Sequence, residues 1–199
     1  MRLAVFGAGG GTGRPLVAQA LERGHAVTAF VRAAPTDDSL AGAGRVLTGD
    51  ARNAAAVDAA VRDADAVVSA MGPKGPEPGT AYSEAVGAVA RAMTQVGVRR
   101  LVISANSRVL DARPLEDEFA GVSQEHRDAL ATLRVCDLDW TVVATPMLSD
   151  DHPRGRYAAA LDERSPGASI TRGDFATALL DALDHDDWVG AVVDVSNTD

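Results

Sequence analysis

Short apolar runs alternate along this chain with longer segments of helical period, and this alternation constrains the fold more than any other feature. Near-continuous apolar strands joined by helices suit a parallel sheet that is covered on both faces. The pattern therefore predicts an α/β fold with a doubly wound parallel sheet. The predicted strands are Arg2–Phe6, Ala26–Val31, Arg45–Leu47, Ala66–Ala70, Arg100–Ser104 and Trp140–Ala144, and the predicted helices are Gly13–Arg23, Asn53–Arg62, Tyr82–Val96 and Ser123–Val135.

The rhythm changes after Pro146, where a polar loop replaces the regular alternation. A short apolar run follows near residues 157–161, then a helix over 172–183 and a strand over 189–195. Thr171 is a plausible N-cap for that helix, with Asp174 three residues on. A chain of 199 residues with 46% hydrophobic content can bury one substantial core. We expect one domain over 1–199, with a core of 1–145 and small substrate-side and C-terminal elements over 146–199.

Charge and composition exclude several kinds of partner. The formal net charge is −9, which disfavours nucleic acid and anionic membrane surfaces, because both are bound by clustered basic residues. No apolar run approaches the roughly 20 residues of a spanning helix, and no His/Cys/Asp cluster has metal-ligand spacing. A single cysteine, Cys136, cannot form an internal disulfide, and the chain opens directly into a predicted strand. We expect a cytoplasmic protein, a monomer rather than a homodimer, with no bound metal.

A glycine-rich stretch, "AVFGAGGGTGRP" at residues 4–15, joins the first predicted strand to the first predicted helix. Its spacing fits G-x-x-G-x-x-G through Gly7, Gly10 and Gly13, since Thr12 occupies the third-glycine position of the G-x-G-x-x-G register. Gly7 would form the tight turn, Gly10 and Gly11 would admit phosphates, and Gly13 would allow close helix packing. In a Rossmann-like fold this turn binds the pyrophosphate of a dinucleotide at a helix N-terminus. A merely flexible glycine loop is the alternative.

The residues after the second predicted strand favour NADP(H) over NAD(H). An NAD site normally carries Asp or Glu about 20 residues beyond the glycines, whereas this chain has Arg32 there and offers Arg14 at the start of the first helix. Guanidinium groups suit a 2′-phosphate, and two solvated surface arginines are the less favoured alternative. Asp50 follows the third strand, where it either accepts from the adenine amino group or forms an ordinary turn and N-cap.

A loop dense in glycine and proline, "SAMGPKGPEPG" at residues 69–79, follows the fourth predicted strand. Its first residues, Ala70, Met71 and Gly72, would lie at the carboxyl edge of the sheet beside the nicotinamide ribose. Residues 73–78 could cover the site.

Seven segments spread over nearly the whole chain form one recognisable pattern: "AVFGAGGGTGR", "VTAFVR", "VLTGDARN", "DAVVSAMG", "VGVRRLVISA", "HRDALATLRVCDLDWTVV" and "GASITRGDFATALLDAL". Taken together, these segments resemble the atypical short-chain dehydrogenases of the NAD(P)H-binding, NmrA-like group, and most closely the flavin reductase/biliverdin reductase B type. The resemblance implies an NADPH-binding reductase of flavins, linear tetrapyrroles or other planar acceptors, although some relatives only bind the cofactor and regulate a partner.

The resemblance also assigns roles to particular residues. It implies a catalytic role for Ser104, whose hydroxyl could donate to a substrate carbonyl or orient the nicotinamide carboxamide; satisfying nearby backbone is the alternative. Asn106, Pro146 and Met147 are candidate substrate-binding residues, with Ser107 a weaker candidate on the same loop. The implied cofactor-binding set is Gly7, Gly10, Gly11, Thr12, Gly13, Arg14, Arg32, Asp50, Ala51, Ala70, Met71, Gly72 and Ser104.

Two departures from the family pattern bear on activity. The Tyr-x-x-x-Lys pair of typical short-chain dehydrogenases is absent, because Tyr82 is followed by Val86 at that spacing and Tyr157 by Leu161. Strong general-acid chemistry is therefore not expected, whereas hydride transfer to a stacked flavin needs mainly ring contact. Met147 also stands where the closest reductases have histidine, which favours flavin over biliverdin.

Three hypotheses result. The first is an NADPH-dependent reductase of a flavin or another planar aromatic acceptor, with a pocket walled by residues 72–78, 104–108 and 146–149. The second is a non-catalytic NADP(H)-binding redox sensor. A nucleotide-sugar epimerase or dehydratase ranks last, since it would normally need the missing Tyr/Lys pair. His126 is interpreted as a capping or surface histidine at the start of its helix.

Overall fold

A computed structural model describes residues 1–73, 79–111 and 117–198, and places an eight-stranded sheet at the centre of the molecule. The strand order is β3-β2-β1-β4-β5-β6-β10-β8. All neighbouring strands pair in parallel except β8, which lies antiparallel to β10 at one edge. The strands are β1 (Arg2–Phe6), β2 (Ala26–Val31), β3 (Arg45–Thr48), β4 (Ala66–Ser69), β5 (Arg100–Asn106), β6 (Asp139–Thr145), β8 (Ala158–Leu161) and β10 (Val192–Ser196), and β7 (Leu148–Ser149) pairs separately with β9 (Ile170–Thr171).

Helices cover both faces of this sheet. On one face α1 packs against α5, and on the other α2, α3 and α4 pack side by side. The helices are α1 (Gly13–Glu22), α2 (Ala54–Val61), α3 (Ala81–Val96), α4 (Ala120–Arg134) and α5 (Arg172–Asp181). Each face has its own apolar cluster, so the strands between them are buried on both sides. The predicted Rossmann-like α/β fold is confirmed.

Several element boundaries differ from the sequence prediction for local reasons. Helix α4 begins at Ala120, before the predicted Ser123, and Phe119 at its N-cap makes no side-chain cap hydrogen bond. The final helix ends at Asp181 and continues as a short 3-10 helix. The last strand begins only at Val192, because Gly190 turns the chain with a φ of +78°.

The predicted cap of α5 is confirmed. The Thr171 hydroxyl accepts from the backbone N–H of Asp174, and the buried Asp174 carboxylate accepts from the N–H groups of Arg154 and Gly155. The side-chain amide of Asn197 donates to the same carboxylate at 2.9 Å. The start of α5 therefore anchors the loop that precedes β8.

The strand order reverses direction between β1 and β4, since β2 and β3 lie on one side of β1 and the later parallel strands lie on the other. In open α/β sheets, ligands bind outside the carboxyl ends of the strands at such a switch point. The candidate site should thus lie where Phe6 and Ser69 end their strands. Within the described ranges, no helix has both the length and the apolar character needed to cross a membrane.

Candidate functional site

The glycine-rich loop closes tightly over the switch point. Gly7 has a φ of +73°, and a Cβ built on it would lie 2.9 Å from the Met71 nitrogen. The Gly10 N–H donates to the Gly7 carbonyl at 3.0 Å. A Cβ on Gly13 would lie only 2.0 Å from that same carbonyl oxygen. Side chains at Gly7 and Gly13 would therefore push apart the turn, the β4 end and the helix start, and the spacing found in the sequence matches these close approaches.

Helix α1 points its N-terminus at this loop. Its N-cap residue, Thr12, makes no side-chain cap hydrogen bond. The first N–H groups of a helix have no intrahelical partner, and together with the helix dipole they favour an anion. The loop therefore fits a dinucleotide pyrophosphate, for which Gly11 and Thr12 would supply backbone N–H groups, since the Gly10 N–H is already bonded to the Gly7 carbonyl.

A first cavity of about 520 Å³ extends from the glycine loop toward the ends of β2 and β3. Exposed Arg32 lines it, as do the residues after β3 and the start of α3. Of the predicted cofactor residues, it is lined by Gly7, Gly10, Arg32, Asp50, Ala51, Ala70, Met71 and Gly72.

The Asp50 carboxylate on the wall of this cavity is paired with Arg52. The Arg52 Nη2 lies 2.6 Å from Asp50 Oδ2, and the Arg52 backbone N–H donates to Oδ1 at 2.8 Å. These hydrogen bonds lower the pKa of Asp50 to about 2, with a smaller contribution from the charge of Arg32. Asp50 does not cap α2, because Asn53 accepts from the Ala56 N–H there. The N-cap part of the alternative for Asp50 is therefore wrong, whereas its turn part is confirmed, because the Asp50 side chain accepts from the N–H two residues on. Arg52 is a charged wall residue that the sequence analysis did not identify.

Arg14 is engaged elsewhere. Its Nε donates to the Gly9 carbonyl at 3.1 Å, and its Nη1 lies 2.9 Å from Asp37 Oδ2. These contacts tie the guanidinium to the glycine loop, and Arg14 is not among the described residues that line either cavity.

A second cavity of about 360 Å³ lies beside the first, at the ends of β4, β5 and β6. Residues 70–73 line both cavities, so the two spaces share one wall. Of the predicted wall segments, residues 74–78 lie outside the described part of the chain. The described lining is Gly11, Thr12, Ala70, Met71, Gly72, Pro73, Ser104, Ala105, Asn106, His126, Thr145, Pro146, Met147, Leu148, Arg172 and Phe175.

Ser104 is held against the shared wall. Its hydroxyl donates to the Met71 carbonyl at 2.6 Å, and the Met71 N–H donates in turn to the Ser69 hydroxyl at 3.4 Å. The buried Tyr82 hydroxyl donates to the Ser104 carbonyl at 2.6 Å, and burial raises the pKa of Tyr82. With its hydrogen committed to Met71, Ser104 Oγ is arranged to accept a hydrogen bond from a ligand.

Other polar candidates on β5 and its loop differ in what they face. Asn106 lines the second cavity and donates from Nδ2 to the Ser123 hydroxyl at 3.1 Å. Ser107 is buried and donates to the carboxylate of Asp194, away from the described cavity lining. Asn106 is thus in reach of a ligand, and Ser107 has a structural partner.

His126 is buried, and its interpretation as a capping or surface histidine is wrong. It is 6% exposed and lines the second cavity. Because α4 begins at Ala120, His126 falls in the second turn and faces inward. Its ring meets the Tyr82 ring edge-on, with centroids 4.7 Å apart, and burial lowers its pKa to about 4. Its Nδ1 is buried and has no hydrogen-bond partner within residues 1–73, 79–111 and 117–198.

Arg172 is a second residue that the sequence analysis missed as a site residue. It opens α5 and lines the second cavity, and a Cβ on Gly11 would lie 3.1 Å from its Cδ and Nε. Its Nε donates to Asp150 at 2.6 Å. The N-cap at Thr171 was the available signal, but nothing local indicated that α5 returns to the glycine loop.

A family model described as NAD(P)H-binding matches residues 7–186, which span the glycine loop, both cavities and α5. The chain belongs to this NAD(P)H-binding family. The resemblance inferred from the sequence is thereby confirmed, and the pyrophosphate fit at the glycine loop of this NAD(P)H-binding protein agrees with it.

Solved structures share the fold over the full length of this NAD(P)H-binding chain. ChuY from Escherichia coli O157:H7, named an anaerobilin reductase, is 25% identical with a TM-score of 0.82, covering 100% of this chain and 98% of its own. A Streptococcus pneumoniae TIGR4 protein provisionally named an NADH-flavin reductase is 23% identical, with a TM-score of 0.84 and full coverage of both chains. A Veillonella parvula DSM 2008 short-chain dehydrogenase/reductase in complex with NADP is 18% identical, with a TM-score of 0.81 and coverage of 98% and 94%.

Proposed function

We propose that this protein is an NADPH-dependent reductase that passes a hydride to a flavin or another planar aromatic acceptor. The observation that carries the proposal is the shared wall at residues 70–73, which separates a dinucleotide-sized groove from a second, smaller cavity. A cofactor extended from the glycine loop along this wall would present its nicotinamide to the second cavity. An acceptor in that cavity would then lie in contact with the cofactor.

Arg32 supports NADPH as the cofactor. It is exposed at the end of β2 and lines the first cavity, where an NAD-selective protein would place a carboxylate for the ribose hydroxyls. The nearby Asp50 carboxylate is neutralised by Arg52. A 2′-phosphate in this region would meet positive charge with little opposing charge.

The second cavity supports an acceptor that needs little acid catalysis. None of its described lining residues is acidic, and Tyr82 uses its hydroxyl to hold β5. Bound NADPH supplies the hydride, and water supplies the proton that completes a two-electron reduction of the acceptor. The chain's own contribution is to hold two flat rings in contact and to limit access of solvent. Met147 is 66% exposed at the rim, where its flexible thioether can pack on a ring face.

Among the structural relatives, the names of ChuY and the Streptococcus pneumoniae protein support a planar acceptor. One name refers to the reduction of anaerobilin and the other to the reduction of flavin. Flavins and linear tetrapyrroles, the acceptors implied by the sequence resemblance, are flat and conjugated and carry ring carbonyls, which agrees with a cavity whose lining combines apolar residues with hydrogen-bonding side chains.

The test is NADPH oxidation followed by absorbance, with NADH in parallel and with FMN, riboflavin, quinones and biliverdin as acceptors. Turnover of at least one acceptor with a preference for NADPH supports the proposal. Tight NADPH binding without turnover on the whole panel would replace it with the non-catalytic redox sensor. A clear preference for NADH would retain the reductase and overturn the assignment of Arg32.

A further inference from the structure

Two buried polar atoms of residues that line the second cavity have no hydrogen-bond partner among the described residues. They are Nδ1 of His126, from the second turn of α4, and Oδ1 of Asn106, from the end of β5. Buried polar groups are nearly always hydrogen-bonded in folded proteins. Both exceptions belong to residues that line one cavity, so the α4 side of that cavity carries polar side chains whose hydrogen bonding is incomplete within the described part of the chain.

The burial of Nδ1 selects the tautomer of His126. Burial lowers the pKa of the imidazole to about 4, so the ring is neutral at neutral pH and carries a single N–H. An orphaned buried N–H is rarer than an orphaned acceptor. Nδ1 therefore keeps its lone pair, and Nε2 carries the hydrogen. Of the two ring nitrogens only Nδ1 is a buried atom without a partner. Because His126 lines the second cavity, Nε2 is the nitrogen that a ligand in this cavity would contact.

The charges around this subsite indicate what it binds. Glu125, the neighbour of His126, is buried, but its carboxylate accepts from the Tyr82 N–H at 2.8 Å and so is occupied. Positive charge enters the second cavity from Arg172, beside the glycine loop. An anionic group of the acceptor would bind near Arg172, whereas the neutral N–H of His126 suits an uncharged oxygen of the acceptor.

We propose that the Nε2–H of His126 donates a hydrogen bond to a ring carbonyl oxygen of the acceptor, and that His126 is thereby a catalytic residue of the reductase. The proposal rests on the proposed function. A ring carbonyl gains negative charge as a hydride reaches the conjugated system, and a fixed donor stabilises that charge more than the ground state. Loss of the donor should thus lower kcat as well as raise KM for the acceptor.

The kinetic test compares substitutions that keep or remove a donor at the Nε2 position. His126→Phe retains a flat ring without the donor, His126→Gln places an amide N–H close to Nε2, and His126→Asn places it close to Nδ1. We expect kcat/KM for the acceptor to fall about 10- to 100-fold in the Phe and Asn variants, since an unmet hydrogen bond costs ~1–3 kcal/mol. The Gln variant should recover most of the loss. His185→Phe is the matched control, because His185 stacks on Trp188 near the start of β6.

A binding readout without turnover separates His126 from the cofactor. NADPH affinity, measured by fluorescence titration, should change less than twofold in all variants, and riboflavin affinity in the presence of NADP⁺ should fall in the Phe and Asn variants. An equal loss of NADPH affinity would reassign the donor to the nicotinamide carboxamide and overturn the proposal. If His126→Phe does not fold, the Gln and Asn pair decides.

The tautomer is tested directly by long-range ¹H–¹⁵N spectra of the imidazoles. The chain has four histidines, and the His126 signals are those missing from a folded His126 variant. We expect a neutral Nε2–H ring at pH 7 and a shift of the Nε2 resonance when riboflavin is added. An Nδ1–H ring, or no change on saturation, would overturn the proposal. If the wild-type protein reduces no acceptor, the proposed reductase function and the proposed role of His126 both fail. If the wild type and His126→Phe reduce an acceptor equally well, only the proposed role of His126 fails.

Discussion

Gly13 lies so close to the Gly7 carbonyl that a methyl group on Gly13 would be 2.0 Å from its oxygen. This contact joins the turn after β1 to the first residue of α1. This oxygen is a backbone atom, and it also accepts a hydrogen bond from the Gly10 N–H. A Cβ on Gly13 would therefore meet fixed backbone and not a flexible side chain that could move aside.

Gly13→Ala should accordingly displace α1 from the loop and weaken nucleotide binding. We expect a loss of ~1–3 kcal/mol in the free energy of unfolding from overpacking and at least about tenfold weaker NADPH binding. Thermal unfolding and fluorescence titration measure the two effects. Gly44→Ala is the control, because its Cβ would meet only the Val27 carbonyl at an ordinary 3.7 Å. Unchanged NADPH affinity in Gly13→Ala would contradict the pyrophosphate assignment.

Arg32→Ala should weaken NADPH binding far more than NADH binding. A hydrogen bond to a charged group contributes ~1.5–3 kcal/mol, so we expect the NADPH dissociation constant to rise roughly 10- to 100-fold and the NADH constant to stay nearly unchanged. Arg62→Ala, an exposed arginine at the end of α2, is the control. Equal losses for the two cofactors would exclude a 2′-phosphate contact.

A comparison of Ser104→Ala with Ser69→Ala distinguishes a direct contact between Ser104 and the nicotinamide from a role of Ser104 in positioning Met71. Ser69 and Ser104 both hold the Met71 peptide, but only Ser104 lines the second cavity. If Ser104 also contacts the nicotinamide, kcat with NADPH should fall about tenfold in Ser104→Ala and much less in Ser69→Ala. Comparable losses in the two variants would limit Ser104 to holding Met71.

Met147→Ala should raise KM for the acceptor roughly 5- to 30-fold, which corresponds to the ~1–2 kcal/mol contributed by a partly buried side chain. Stability should hardly change, because Met147 is 66% exposed. Val135→Ala is the control, because Val135 directly follows the C-terminus of α4 and is 86% exposed. A KM unaffected by Met147→Ala for every acceptor would remove this residue from the acceptor site.

Stability should fall on acidification because of His126. Its pKa is lowered from 6.5 to about 4 by burial, so the unfolded chain binds a proton more readily between these values. The free energy of unfolding should therefore decrease by roughly 3 kcal/mol as the pH falls from 6.5 to 4. The Tyr82 ring packs edge-on against the imidazole, and burial is the cause of the lowered pKa of His126.

Urea unfolding across this pH range measures the effect, and His126→Gln should lack it. Paired carboxylates such as Asp50 and Asp65 have pKa values of about 2, so their contributions are lost only at lower pH. Parallel curves for wild type and His126→Gln would show that the imidazole is not buried as described.

The parts of this molecule that could be predicted from sequence are those with local causes. The bounds of β1 and β2 and the cap at Thr171 follow from apolar runs and from the residues next to them. The glycine spacing was equally readable, since the close contacts of Gly7 and Gly13 arise within one turn and helix start.

The remaining site features arise between distant segments. Arg172 reaches the glycine loop only because α5 packs against α1. His126 turns inward because α4 begins earlier than expected, at a residue without a side-chain cap that could signal the start. Ligand contacts of Ala51, Asn106 and Pro146 stay predictions, although all three line the cavities.

The shared wall at residues 70–73 also has a thermodynamic consequence. A shift of the Met71 peptide caused by a ligand in one cavity changes the surface offered to the other. Linkage then requires that the factor by which NADPH alters acceptor affinity equals the factor by which the acceptor alters NADPH affinity. In the proposed reductase, an oxidised cofactor that displaced this wall would weaken the binding of product by the same free energy by which bound product weakens the binding of the cofactor.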